Sequence, residues 1–140
     1  MNKERVSLEK AVKFHGHLGP YLVLGILAGE LALKKLKCQK YFGLDVSVWG
    51  ANKKPRSCLI DGLQLSTGAT YGKGNIKKLK GTKIKIEFSS RLNHKKNTLM
   101  LKDALMQKIK QAKTHKDAEL LARQLYKKDH LTLFRLTTKN

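Results

Sequence analysis

Apolar residues recur along this chain in two rhythms, and the places where one gives way to the other divide it into elements. Leu8, Ala11, Val12 and Phe14 fall at roughly helical spacing behind Ser7, which predicts a short helix from Ser7 to about Lys13, ended by Gly16. A second helix is predicted from Pro20 to about Lys37. In its first half the apolar residues surround almost the whole circumference, so it belongs at the centre of the core. Gly25 and Gly29, four residues apart, leave room on it for another backbone to approach. Leu44 to Trp49 alternates with period two and reads as a strand buried on one face. Ser57 can cap a short helix from Cys58 to about Leu65, broken by Ser66-Thr67-Gly68. Strands from Lys83 to Ser89 and from Thr98 to Lys102 should pair antiparallel. Asp103 can cap a helix to about Lys113. Another helix runs from about Lys116 to Tyr126, and Leu131 to Leu136 makes a terminal strand. Strands grouped with helices of unequal length, without regular βαβ alternation, give an α+β fold: a single domain over residues 1–140, with a largely antiparallel sheet packed on helices that include a long central apolar one.

Composition adds constraints. A chain of 140 residues can bury a core without disulfides, and Cys38 and Cys58 are too few for a disulfide framework or a four-cysteine zinc module. A reducing cytoplasm is the simpler setting. The segment Met1-Asn2-Lys3-Glu4-Arg5 lacks the apolar core of a secretory signal. The run from Leu18 to Leu33, interrupted by Glu30 and followed by lysines, is short for a membrane span, so no membrane association is expected. The formal charge of +20 is uneven: 11 basic residues stand against 5 acidic in 1–72 (+6), and 19 against 5 in 73–140 (+14). Such a field attracts nucleic acid, anionic surfaces or an acidic protein partner. The alternative is a lysine-rich solvated surface that meets polyanions only incidentally. Phe88, Tyr126 and Phe134 are too thinly spread in the second half to form a stacking motif.

Three stretches carry candidate chemistry. Phe14-His15-Gly16-His17-Leu18-Gly19-Pro20 places two imidazoles on a chain reversal before the central helix, where a helix N-terminus would keep them neutral and free to ligate a metal or accept a proton. Taken alone, a His-x-His is more often an ordinary turn pair. Cys58 and Asp61 share a face of the next helix, and a cysteine in a first helical turn is biased toward thiolate; a single cysteine is otherwise a small buried apolar residue. The loop from Thr67 to Asn75 lacks the phosphate-loop pattern but offers backbone amides, the Lys73 ammonium and the Asn75 amide, a composition suited to a small anion nest or to a plain solvent loop. Cys38 has no such setting.

With His15-Gly16-His17-x-x-Pro20, then Cys58-x-x-Asp61-Gly62-x-Gln64, then Thr67-Gly68-x-Thr70-x-Gly72-Lys73-Gly74-Asn75, the chain resembles the formylmethanofuran dehydrogenase E-subunit family over roughly residues 7 to 137. The resemblance implies an α+β core domain, commonly a homodimer, whose His-Gly-His and Cys-x-x-Asp blocks converge on a cleft able to hold a divalent metal, usually zinc. It implies His15, His17 and Cys58 as ligands, Cys58 and Asp61 as the chemically active pair, with Asp61 orienting a ligand or moving a proton, and Lys73 and Asn75 on the rim as cofactor-binding residues. Components of a molybdenum or tungsten enzyme are implied as partners, while this chain carries neither a pterin domain nor an iron–sulfur cysteine pattern. Many members carry cysteine where this chain has Gly19 and Ala69, and some add a cysteine-rich zinc segment after the core. A thiol-pair role is therefore not expected here. A site built from imidazole and one thiolate is. A reaction and a substrate do not follow, and a basic nucleic-acid module over residues 73–140 is the alternative reading.

Overall fold

The computed structural model describes residues 5–139. In chain order it contains α1 (Leu8–His15), α2 (Pro20–Leu36), β1 (Leu44–Trp49), α3 (Cys58–Thr67), β2 (Ile76–Leu79), β3 (Lys85–Ser90), β4 (Lys96–Leu101), α4 (Asp103–Gln111), α5 (His115–Tyr126), a 3₁₀ turn (His130–Thr132) and β5 (Phe134–Lys139). The fold is α+β, with the five strands in one sheet ordered β2-β1-β3-β4-β5. Three of the four pairings are antiparallel and β1 with β2 is parallel, so the sheet is mixed.

Alternation decides which sheet face is buried. Leu44, Val46 and Val48 of β1, Ile86 and Phe88 of β3, and Leu99 and Leu101 of β4 all point into the core, and the register sets Val46 opposite Phe88 and Ile86 opposite Leu99. The helices cover that face. Every residue of α2 from Pro20 to Gly29 is buried, as are Leu31, Ala32 and Leu36. No single helix among the described residues is long and apolar enough to cross a membrane; α1 and α2 taken together pass on composition but are bent by 120°.

The feature that positions the site is the crossing of α2 with α3. A side chain on Gly25 would strike the backbone carbonyl of Leu59 and lie 2.9 Å from the Gly62 Cα, while one on Gly62 would strike the Leu22 carbonyl and lie 2.8 Å from the Ile26 nitrogen. The two backbones therefore touch, as only glycine allows. One turn along, the Ser66 hydroxyl fills the space beside Gly29 and donates to the Gly25 carbonyl at 3.1 Å. This contact brings the N-terminal ends of α2 and α3 together, with the α1–α2 corner beside them.

Several local expectations need correction. Lys102, not Asp103, is the N-cap of α4, and Asp103 is its first helical residue. Thr114 caps α5 by accepting from the Asp117 amide at 3.0 Å, so that helix starts at His115. Residues 130–132 form a 3₁₀ turn rather than the start of a strand, which shifts β5 to Phe134. The segment Met1 to Glu4 lies outside the described residues.

Candidate functional site

The ends of α1, α2 and α3 and the corner between α4 and α5 enclose a cleft of about 300 Å³. Ser7 starts α1 by accepting from the Lys10 amide at 3.1 Å, and Gly16 ends it with φ near +113°, so the chain turns sharply between the two histidines. His15 is thus the last residue of α1, at the negative end of that helix, and does not stand at a helix N-terminus; only His17 lies on the approach to α2. The two rings remain neighbours, with centroids 5.0 Å apart and planes tilted by 35°.

His15, His17 and Cys58 all line the cleft. Asp61 accepts a hydrogen bond from His15 Nδ1–H at 2.6 Å, which fixes that ring and leaves its Nε2 as the free position. The histidine side chain is 11% exposed and the carboxylate 36%, so Asp61 supports His15 from the solvent side. The same carboxylate acts on two other groups. Burial pushes the Cys58 thiol up and the Asp61 charge pushes it further, outweighing the Lys54 ammonium; Tyr71 is raised by burial and then by Asp61.

The expectation of a thiolate at Cys58 is therefore reversed. Ser57 has helical φ and ψ and makes no side-chain cap, and the Cys58 amide is taken by the Pro55 carbonyl at 3.1 Å. The positive end of α3 is thus partly spent on the preceding turn, while burial and a nearby carboxylate hold the proton on sulfur.

Lys73 and Asn75 do not reach this cleft. Asn75 is 2% exposed; its amide donates to the carbonyls of Tyr41 and Leu44 and its oxygen accepts from the Thr70 amide, so it serves as an internal brace. Lys73 lies near the Thr70 hydroxyl and over the rings of Tyr41 and Phe42. The amides of Thr70, Tyr71, Lys73 and Gly74 are each taken by acceptors within the protein, so the loop closes on itself and forms no anion nest. Gly19 is part of the cleft lining, and a Cβ placed on it would lie 3.7 Å from His17 Nε2; Ala69 is fully buried away from it.

The structure adds a wall that periodicity could not supply. Ile109, Ala112, Lys113, Thr114, His115 and Ala118 close the cleft from the α4–α5 corner. These residues are remote in sequence from the His-Gly-His block, and only the packing of α5 on α2 brings them there.

A metal ion can be judged by its donors. Two imidazoles and one thiol suit zinc, and a histidine whose second nitrogen is held by a carboxylate is the usual form of a metal-ligating ring. Among the described residues, however, no three His, Cys, Asp or Glu side chains are gathered in the arrangement of a bound ion. The donors fit in kind, and their number falls short of a closed structural site.

The FmdE family, described as "FmdE, Molybdenum formylmethanofuran dehydrogenase operon", matches residues 14–136. A protein of Archaeoglobus fulgidus described as a probable S-adenosyl-L-methionine-binding protein is 33% identical over 73 residues, covering 49% of this chain and 19% of that protein, so this chain spans about a fifth of that relative's length. In three dimensions, the crystal structure of an FmdE-like protein of the tungsten formylmethanofuran dehydrogenase type from Syntrophus aciditrophicus is similar with a TM-score of 0.67, at 18% identity, over 100% of this chain and 77% of the other. That likeness speaks to the fold.

Proposed function

The chain belongs to the FmdE family, and from that premise we propose that its cleft is an open divalent-metal site, zinc by donor type, held by His17 and Cys58 with help from His15. The observation that carries this reading is the 2.6 Å contact between His15 Nδ1 and Asp61, which leaves Nε2 as the free nitrogen of a ring that lines the cleft together with His17 and Cys58. A bound zinc would supply Lewis acidity and lower the proton affinity of the thiol and of any coordinated water. The protein's own contributions are separate. Asp61 orients His15 by accepting from Nδ1–H, and Leu18 and Pro20 present buried apolar surface to one side of the cleft. With few protein donors, an ion held here would leave room for water or a ligand, as a working rather than a structural site does. A homodimer, a role beside the other components of a molybdenum or tungsten enzyme and a cytoplasmic setting follow from the family likeness and belong to the same proposal.

Cobalt(II) tests it spectroscopically. Addition to metal-free protein should produce a thiolate-to-cobalt absorption that Cys58→Ser abolishes and His17→Ala weakens, while Cys38→Ser leaves it unchanged. Absorption that survives Cys58→Ser would remove the cleft from consideration.

A further inference from the structure

We infer that the cleft is a binding site for a small organic carboxylate, with Lys113 as its charge partner; the inference takes the same cleft as the functional site and adds the class of ligand. Size comes first: about 300 Å³ lies at the small end of ligand pockets, enough for a molecule with a single ring or a short chain. Much of the wall is apolar. Leu18 and Pro20 are buried on the α2 side, and Ile109 of α4 and Ala118 of α5 add to the same lining. Such a wall favours a ligand with an apolar body over a heavily hydrated one.

Charge then selects the head group. No carboxylate is among the lining residues: Asp61 lies outside them and is engaged with His15, and Asp117, in the first turn of α5, borders a neighbouring depression between α4 and α5. Lys113 does line the cleft, the one Lys or Arg among the described lining residues. His115, the first residue of α5, lies on the same wall; the helix end beside it is already capped by the Thr114 hydroxyl and carries Asp117 in its first turn, so the charge on this wall is that of Lys113. A lone ammonium balances one negative charge, and a phosphate dianion would carry a second, uncompensated and strongly hydrated charge against the apolar wall. One ammonium, no opposing carboxylate in the lining and apolar walls together match a monoanion on an apolar body, and an organic carboxylate has that form.

The test uses the full chain and measures binding of benzoate, benzamide and inorganic phosphate by calorimetry, in metal-free and zinc-supplemented protein. Benzoate should bind more tightly than either benzamide or phosphate. Lys113→Gln should weaken benzoate by about fivefold or more, whereas Lys96→Gln, which removes the same charge from an exposed position on β4, should change it by less than about twofold. Ala118→Phe, from a half-buried helical position, should block the cleft and abolish binding with thermal unfolding retained. Equal affinity for benzoate and benzamide, equal losses in the two lysine variants, or no benzoate binding at all overturns the inference. If benzoate binds metal-free protein and zinc does not bind, the metal reading alone fails. If zinc binds and benzoate does not, the carboxylate inference alone fails.

Discussion

Asp61 is the residue through which the site's ionisable groups feel one another. It holds His15 by hydrogen bond and raises both Cys58 and Tyr71. The sign of its effect on Cys58 can be measured. In metal-free Cys38→Ser protein, the pH midpoint for alkylation of Cys58 by iodoacetamide should lie above the ordinary thiol value of about 8.5. Asp61→Asn removes a negative charge that disfavours the thiolate, so the midpoint should move down, while burial keeps it from falling below the ordinary value. A midpoint that stays put or rises would show that the carboxylate does not act on the sulfur. At this scale the sequence is informative about residue types and silent about environment. The spacing of Cys58 and Asp61 correctly puts them near each other, but the serine at 57 suggests a cap, and the preceding turn from Pro55 takes its place.

Between elements, the backbone contact of α2 with α3 sets the cleft. Gly62→Ala would drive a methyl into the α2 backbone, where neither partner is a flexible side-chain end, and should cost on the order of 3 kcal/mol or prevent folding. Gly72→Ala, whose nearest neighbour is the Thr70 hydroxyl at 3.8 Å, should stay within about 0.5 kcal/mol of wild type. Urea unfolding of the two variants checks both, and equal stabilities would contradict this packing. Elements with strong local periodicity are legible: the pattern places α2 and β1 to within a residue of their observed bounds, and the glycine spacing on α2 foretells a close approach. β2 escapes the pattern because Lys77 and Lys78 are exposed and break the alternation between Ile76 and Leu79; its strand character comes from parallel pairing with β1, well back in the chain. The α4–α5 wall is invisible for a related reason. Its place in the cleft depends on tertiary packing, and nothing in residues 109–118 marks them as partners of His15.

Across the whole molecule, Glu30 joins distant parts of the chain. It accepts from Arg5 at 3.1 Å and contacts His130 Nε2 at 3.0 Å, while Arg5 lies over the Tyr126 ring at 4.1 Å. Burial pushes the Glu30 carboxyl up, but the hydrogen bonds and charges of His130 and Arg5 outweigh it and hold the group below its usual value of 4.5. A depressed folded value contributes stability that is present above the unfolded value and lost as pH falls through the folded one. Glu30→Gln should therefore cost about 1–2 kcal/mol at pH 7, with the difference from wild type shrinking as pH drops below about 4.5. Urea unfolding at several pH values gives the comparison, and a difference independent of pH would contradict it. The +20 charge is likewise a property of the whole surface. Lys77 and Lys78 sit on β2, an edge strand, with Lys80 just beyond it, while Lys108, Lys110, Lys116, Lys127 and Lys128 lie on or beside α4 and α5, so the basic residues are shared among several elements.

Whether the His-Gly-His and Cys-x-x-Asp blocks form one metal site is decided by counting zinc per chain by native mass spectrometry on untagged wild type, His17→Ala and Cys58→Ser. About one zinc per wild-type chain, lost in both variants, is the expected result. No zinc on wild type after reconstitution, or equal zinc in all three, would contradict it.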